Sequence, residues 1–566
     1  MFPHSIQKSI YTDLYGSTMP VISVNSDDLI DLSKTDQVTL IEVLPKLGIE
    51  IEEIKEGSWE LEVSPDRCDM LSVEGIARSV RGFTEEETGL PVYETEGSDI
   101  KTEVDLSVQE VRPYVVTALI KNVDLSAEAL KSLMDLQEKL HTTIGRNRSK
   151  VAIGLHDFRP IEPPIEYKAV KPEDVSFVPL ERSVEMTLEE ILERHDKGKE
   201  YAHILEGKDR YPILTDSEDN VLSFPPVING ILTEVTPETD AFFIDMTGTD
   251  MRALEQTLNI MCTTLAERDA DIYTTEVSYG SRNITYPDLS MDSIEVPLEE
   301  CEKVLGVELS SSEVKEILER MRYAAEFKDS MFEVTIPVYR HDILHTRDII
   351  EDIAIGYDYD NFLGVLPEEV TIGKSLPDRE LKDAVKELLI GYGFSETMNY
   401  MLTSEEREYE KMGKGSKDVN MAEVKNPVSK QSDSLRTWLL PSLLSDLKEN
   451  RNESLPQKLF EVGDVVVDGE QKTKIAGVME SSKAGFTEIK SILDGFFTNL
   501  DVEMTVEPEK HASFVEGRCA AAVEEDVELG FFGEISPEVL ENFELENPTV
   551  AFEIDFEALY LLKKSG

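Results

Sequence analysis

Phe243-Ile-Asp-Met-Thr-Gly-Thr-Asp250 is the stretch on which the reading of this chain turns. Its first half is strand-like, and Asp250 then stands where a helix N-cap belongs, ahead of Leu254, Leu258, Met261 and Leu265 at helical spacing. A strand running into a capped helix marks an α/β region. The polar tripeptide Thr247-Gly-Thr249 is predicted at the turn between them, where backbone amides and hydroxyls face ligands. The plainer alternative is ordinary turn chemistry.

This α/β region reaches upstream to about Val104. It holds Val151-Ala-Ile-Gly-Leu-His-Asp157 and Val221-Leu-Ser-Phe-Pro-Pro-Val-Ile-Asn229, in which Pro225 and Pro226 stiffen the loop after Ser223. Before it, Met19 to about Glu85 reads as strand, helix, strand, with Trp59, Leu61 and Val63 alternating against Glu60 and Glu62. Leu71 to Val80 reads as a helix, and Arg67 and Asp69 just ahead of it are spaced to pair. Met1 to Thr18 show no strong pattern and read as an extension or a mis-assigned start.

Downstream, Pro287 to Leu366 reads as a small helical domain with a short strand. Ser310 and Glu313 have capping-box spacing ahead of Val314, Ile317, Leu318 and Met321, and Phe332-Glu-Val-Thr-Ile-Pro337 alternates. In the following Arg340-His-Asp-Ile-Leu-His-Thr-Arg-Asp-Ile-Ile-Glu-Asp-Ile-Ala-Ile-Gly-Tyr357, the apolar Ile349, Ile350, Ile353 and Tyr357 recur at helical spacing. That places Asp348, Glu351 and Asp352 on the adjoining polar face, with Asp342 just upstream. Clustered oxygen donors suit a hard cation, magnesium first. In a chain this acidic, a solvated charged face is the alternative.

The last region, about Thr371 to Gly566, combines a helix from Leu381 to Tyr392 with several strand-like runs and reads as α+β around an antiparallel sheet. Residues 411–420, rich in Lys and Gly, read as a surface loop.

At 566 residues the chain has room for roughly three to five domains. Its 115 acidic and 56 basic residues leave a formal net charge of −59, yet 40% hydrophobic content and sustained periodicity argue for a folded protein. Concentrated salt screens such self-repulsion, so we expect a salt-adapted cytoplasmic protein whose acidity does not exclude an RNA ligand. Cys68, Cys262, Cys301 and Cys519 lack zinc spacing or a disulfide framework, and no apolar run is long enough to span a membrane.

Walker, dinucleotide-binding and Gly-x-Ser-x-Gly motifs are missing, which counts against common nucleotide hydrolases and serine esterases. His341-Asp-Ile-Leu-His345 is a near miss for a zinc-protease helix, with Asp342 where glutamate is needed and no third ligand evident.

Pro65-Asp-Arg-Cys-Asp69 with Val73-Glu-Gly-Ile-Ala77, Val221-Leu-Ser-Phe-Pro-Pro226, Asp245-Met-Thr-Gly-Thr-Asp250, and Asp342-Ile-Leu with Asp348-Ile-Ile-Glu-Asp352 recur in one order in one family. The chain closely resembles the beta subunit of phenylalanyl-tRNA synthetase in its archaeal and eukaryotic form, over nearly everything from Met19 to Leu562. The resemblance implies an α+β multidomain fold. After the 1–18 extension come an N-terminal α/β module (19–90), an α/β tRNA-editing domain (91–270) and a small domain with magnesium-binding acids (271–370). A class II synthetase-like antiparallel-sheet core that lacks catalytic residues (371–566) completes it.

The resemblance further implies that Asp342, Asp348, Glu351 and Asp352 bind Mg2+. It assigns Leu214, Ser223, Asp245 and Thr247 to a pocket that hydrolyses tyrosine wrongly esterified to tRNA(Phe). In that pocket Asp245 and Thr247 orient water or substrate, Ser223 contacts it, and amides near Thr247 to Thr249 are expected to supply oxyanion donors. An apolar site shaped for phenylalanine rejects an added hydroxyl by only about a hundredfold, so a second, polar site is needed. Leu435-Arg-Thr-Trp-Leu-Leu-Pro-Ser-Leu443 and Leu459-Phe-Glu-Val-Gly463 echo a class II strand pair. No arginine follows Gly530-Phe-Phe-Gly-Glu-Ile-Ser-Pro537, so ATP is expected to bind mainly to a separate alpha subunit in an α2β2 heterotetramer. Two rivals stay open on sequence: a subunit for assembly and tRNA docking only, and a free-standing hydrolase.

Overall fold

Trp59 and Leu61 point inward from the central strand of the first sheet, as their alternation predicts. That sheet comprises β1 (Val21–Asn25), β2 (Glu50–Lys55) and β3 (Ser58–Glu62) in the order β1-β3-β2, with α1 (Ser26–Ser33) and α2 (Gln37–Lys46) between its first two strands. The computed structural model describes residues 19–366, 371–414, 421–525 and 527–565. The expected 1–18 extension and residues 415–420 of the expected loop lie outside the described residues. The backbone divides after Leu366 into two compact units.

In the first unit, α3 (Val73–Phe83) starts two residues later than its periodicity suggests. The Ser72 hydroxyl caps it at Gly75 N, and Cys68–Met70 forms a 3-10 turn instead. The pocket-bearing region follows: β4 (Thr95–Val104), β5 (Tyr114–Lys121), α4 (Ala127–Thr142), β6 (Val151–Asp157), β7 (Ile165–Val170), β8 (Tyr211–Thr215), β9 (Val221–Phe224), β10 (Ile228–Asn229), β11 (Ala241–Gly248), α5 (Met251–Ala266), β12 (Asp271–Tyr279) and β13 (Arg282–Tyr286). Ten strands form one mixed sheet in the order β10-β9-β8-β7-β4-β12-β5-β11-β6, with β13 beside β12. Because β12 bridges β4 and β5, the sheet continues past the expected boundary at 270.

Helix α5 forms as its sequence dictates. Asp250 accepts from Ala253 N, and Leu254, Leu258, Met261 and Leu265 are buried. Each such side chain stabilises the fold by about 1.5–3 kcal/mol when fully buried. The tripeptide before it differs from expectation. Thr247 and Gly248 are still in β11, which is flanked by β5 and β6, and Thr249 N donates to Lys150 O at 3.1 Å. These amides belong to the sheet and its exit turn rather than to an open turn, so the expected oxyanion donors are not there.

The small domain has three strands rather than one: β14 (Ser293–Pro297), β15 (Ala324–Lys328) and β16 (Met331–Thr335), ordered β14-β16-β15. Helices α6 (Leu298–Leu305), α7 (Ser311–Arg320) and α8 (Thr346–Tyr357) pack with them, and Ser310 and Glu313 form the expected capping box. One hydrophobic core runs from Ile22 to Ile353.

The second unit is built on a seven-stranded sheet, antiparallel except at the short edge strand β17 (Ser395–Glu396). Helix α9 (Pro377–Gly391) precedes it. The expected strand pair is absent: Leu440–Glu449 is helical, and β18 (Gln457–Val467) pairs instead with β19 (Glu470–Glu480). Pro441 in the first helical turn suits a helix start.

Candidate functional site

Asp245 sits in the middle of β11, buried to 1% exposure, with Thr247 two residues on and therefore on the same face of the strand. Ser223, on β9, is placed next to them because the sheet curls until its two edges approach. Asn229 Nδ2 on one edge strand donates to Leu155 O on the other at 3.2 Å. Between the edges lies a cavity of about 280 Å³ lined by Gly154, Ser223, Phe224, Pro226, Asp245 and Thr247 among others.

Three of the four residues expected in the pocket therefore line one cavity. Leu214 does not. It lies opposite Ser223 across the β8–β9 pair but is fully buried in the hydrophobic core, so its role is packing behind the wall.

The polar groups form a connected set. Ser223 Oγ donates to Asp245 Oδ2 over a long 3.4 Å, and His156 Nε2 lies 2.7 Å from the same oxygen. His156 Nδ1 is in turn 2.7 Å from Thr233 Oγ1. Arg112 donates through Nε to Thr247 Oγ1 at 2.9 Å and through Nη2 to Thr247 O at 2.6 Å. Burial lowers the Arg112 pKa to about 10, which leaves it charged at neutral pH. Arg148 anchors the wall, donating to Val227 O at 3.0 Å beside the Pro225-Pro226 turn.

Gly154 carries a steric requirement: a Cβ there would lie 2.2 Å from Asp245 Oδ2 and 2.8 Å from His156 Nε2. Sequence reasoning missed Gly154, His156, Thr233 and Arg112 as site residues. The one available signal was glycine and histidine two apart in the strand-like run 151–157.

The four acids expected to hold magnesium are not gathered around one point. Asp342 and Asp352 both pair with Arg340, at 2.7 Å each, and Tyr323 donates its hydroxyl to Asp352. Although burial opposes ionisation, Arg340 holds the Asp342 carboxyl below its ordinary range. Asp348 Oδ2 accepts from Leu344 N and His345 N, at 2.7 Å each, which makes it the capping-box acid of α8. Glu351 is exposed; partial desolvation, followed by Asp352, Asp66 and Asp348, raises its pKa.

Among the described residues, the one group of three or more potential ligand side chains with converging atoms is Glu50, Glu52 and Glu62, elsewhere on the first sheet. The four acids do not fit a closed cation cage within this chain, because a guanidinium occupies the space between two of them. Arg67 and Asp69 pair as expected, at 2.9 Å.

Residues 294–359 match the family described as tRNA synthetase B5 domain, and residues 364–556 match Phenylalanyl tRNA synthetase beta chain CLM domain. A crystal structure of an N-terminal fragment of the phenylalanyl-tRNA synthetase beta subunit from Pyrococcus horikoshii is 39% identical. It covers 60% of this chain and 99% of the fragment, with a TM-score of 0.58. Two curated relatives, each named phenylalanine–tRNA ligase beta subunit, come from Methanococcoides burtonii and Archaeoglobus fulgidus. Each is 42% identical, spanning 95% and 96% of this chain and 99% of the relative. With likeness of that depth over almost its whole length, the chain belongs to the phenylalanine–tRNA ligase beta-subunit family.

Proposed function

We propose that this chain works with an alpha subunit as an α2β2 phenylalanine–tRNA ligase in the cytoplasm, and that its own chemistry is hydrolysis of Tyr-tRNA(Phe) in the cavity around Asp245. The observation that carries the second part is a buried carboxylate lining a small cavity, with Ser223 and Thr247 beside it and Phe224, Pro226 and Val227 among its apolar contacts. Its 280 Å³ is close to the lower bound of about 300 Å³ for small-molecule sites, a size for one amino-acid side chain. A buried carboxylate acceptor favours a ligand that brings a hydroxyl proton to it. Tyrosine has one and phenylalanine lacks it.

Hydrolysis then needs a water held near the ester carbon. The water oxygen bonds to that carbon, the bond to the terminal ribose oxygen breaks, and the ribose hydroxyl recovers a proton as tyrosine leaves. Aminoacyl esters are activated enough that positioning and hydrogen bonding drive this step without a protein nucleophile. Charging itself, with ATP, is assigned to the alpha chain, and the 371–566 core to subunit assembly in a class II-like fold. Magnesium enters no step proposed for this chain.

The experiment is deacylation of Tyr-tRNA(Phe) by the assembled enzyme at high potassium chloride, the condition the acidic composition calls for. Asp245→Ala and Thr247→Ala are compared with the unsubstituted enzyme. Loss in both supports the cavity as the site; full activity in both removes it.

A further inference from the structure

We infer that Arg112 and His156, neither of which lines the cavity, fix its hydrogen-bonding polarity: Thr247 is held as a proton donor and Asp245 as an acceptor. This rests on the hydrolytic reading of the cavity and names the residues that set its selectivity.

The donor half follows from arginine chemistry. A guanidinium only donates, so the Thr247 Oγ1 lone pair facing Arg112 Nε is committed at 2.9 Å and the hydroxyl proton must turn elsewhere. Arg112 also grips Thr247 O, so the residue cannot rotate away as a unit. Among the described residues no acceptor takes that proton, and Thr247 borders the cavity. Arg112 makes no described salt bridge, and the carboxylate whose charge reaches it is that of Asp245.

The acceptor half follows from the two ends of His156. Ser223 Oγ already donates to Asp245 Oδ2, and with its proton on Nε2 the His156 ring donates to the same oxygen from 2.7 Å. Thr233 meets the other ring nitrogen at 2.7 Å and prevents the ring from flipping freely. Both donors converge on one carboxylate oxygen, and among the described residues none reaches Oδ1. That second oxygen is left for the ligand hydroxyl, and the bare Cα of Gly154 provides the room in which the pair sits.

Arg112 and His156 are positioning residues, and the test uses rescue and a split of kinetic constants. The assembled enzyme is assayed on Tyr-tRNA(Phe) and Phe-tRNA(Phe), with aminoacylation by the same preparations as the check on folding and assembly. His156→Ala is expected to lower kcat/KM on the tyrosyl ester by about a hundredfold, the order that a small misplacement of a positioned group costs. His156→Gln, whose amide nitrogen keeps a donor near Oδ2, is expected to recover most of that loss. Arg112→Met is expected to lower kcat by about tenfold with little change in KM, because the Thr247 proton acts in the transition state.

Wild-type kcat/KM in His156→Ala, or equal losses in His156→Ala and His156→Gln, would overturn the assignment while leaving the hydrolytic reading intact. If the unsubstituted enzyme leaves Tyr-tRNA(Phe) uncleaved, the hydrolytic reading fails and the assignment fails with it.

Discussion

Ser223 Oγ lies 3.4 Å from Asp245 Oδ2, although five strands stand between β9 and β11 in the sheet order. The contact exists because the sheet curls until its edges meet, and it converts two residues with no sequence proximity into one cavity wall. Any change that perturbs this closure is expected to affect the cavity before it affects the fold.

Gly154→Ala is the sharpest steric test. The added methyl would fall 2.2 Å from Asp245 Oδ2, so the carboxylate must move. A displacement of that kind costs about a hundredfold in rate, and overpacking costs about 1–3 kcal/mol in stability. Deacylation kinetics and chemical denaturation of the same variant separate the two.

Arg340→Met would leave Asp342 and Asp352 buried without their shared cation. The expected loss is about 3–5 kcal/mol. Adding Asp342→Asn and Asp352→Asn to that variant should restore part of it, since the charges that suffer are then gone. Urea denaturation of the three proteins checks the order.

Asp348→Ala should cost about 1 kcal/mol through the lost helix cap of α8. If capping is its role in this chain, the loss is equal in magnesium and in EDTA. Thermal unfolding in the two buffers gives the comparison, and a loss seen only with magnesium would restore the cation assignment.

His141 predicts a pH dependence. Burial, only partly offset by the hydrogen bond to Glu138, lowers it from 6.5 to about 4 with the Arg148 charge adding to the fall, and its Nε2 accepts from Ile153 N at 2.8 Å. The unfolded chain takes up the proton near 6.5 while the folded chain resists, so stability is full above 6.5 and falls as pH drops towards 4. The difference is worth about 3 kcal/mol. His141→Gln should flatten the unfolding midpoint across that window.

Local signals carried the sequence reading well. Asp250 ahead of an apolar helical face and the Ser310–Glu313 spacing each specify a helix start within a few residues, and both caps form. What failed was non-local. His156 meets Asp245 across 89 residues from inside a strand whose seven residues are all buried, so no periodicity marks it out. An expected boundary at 270 separates β12 from its sheet, because nothing in its own residues shows that β4 pairs with it. The acids at 342–352 are singled out by helical spacing and by the resemblance, and neither reveals that Arg340 folds back between two of them.

The central claim is that the cavity selects tyrosine over phenylalanine on the same tRNA. The most direct measurement is the ratio of hydrolysis rates of Tyr-tRNA(Phe) and Phe-tRNA(Phe) by the assembled enzyme, read as kcat/KM. Because a buried acceptor left unpaired by phenylalanine discriminates strongly, the ratio should favour the tyrosyl ester by at least about a hundredfold, and Asp245→Ala should abolish it. Equal hydrolysis of the two esters, or a preference that survives Asp245→Ala, would contradict the account.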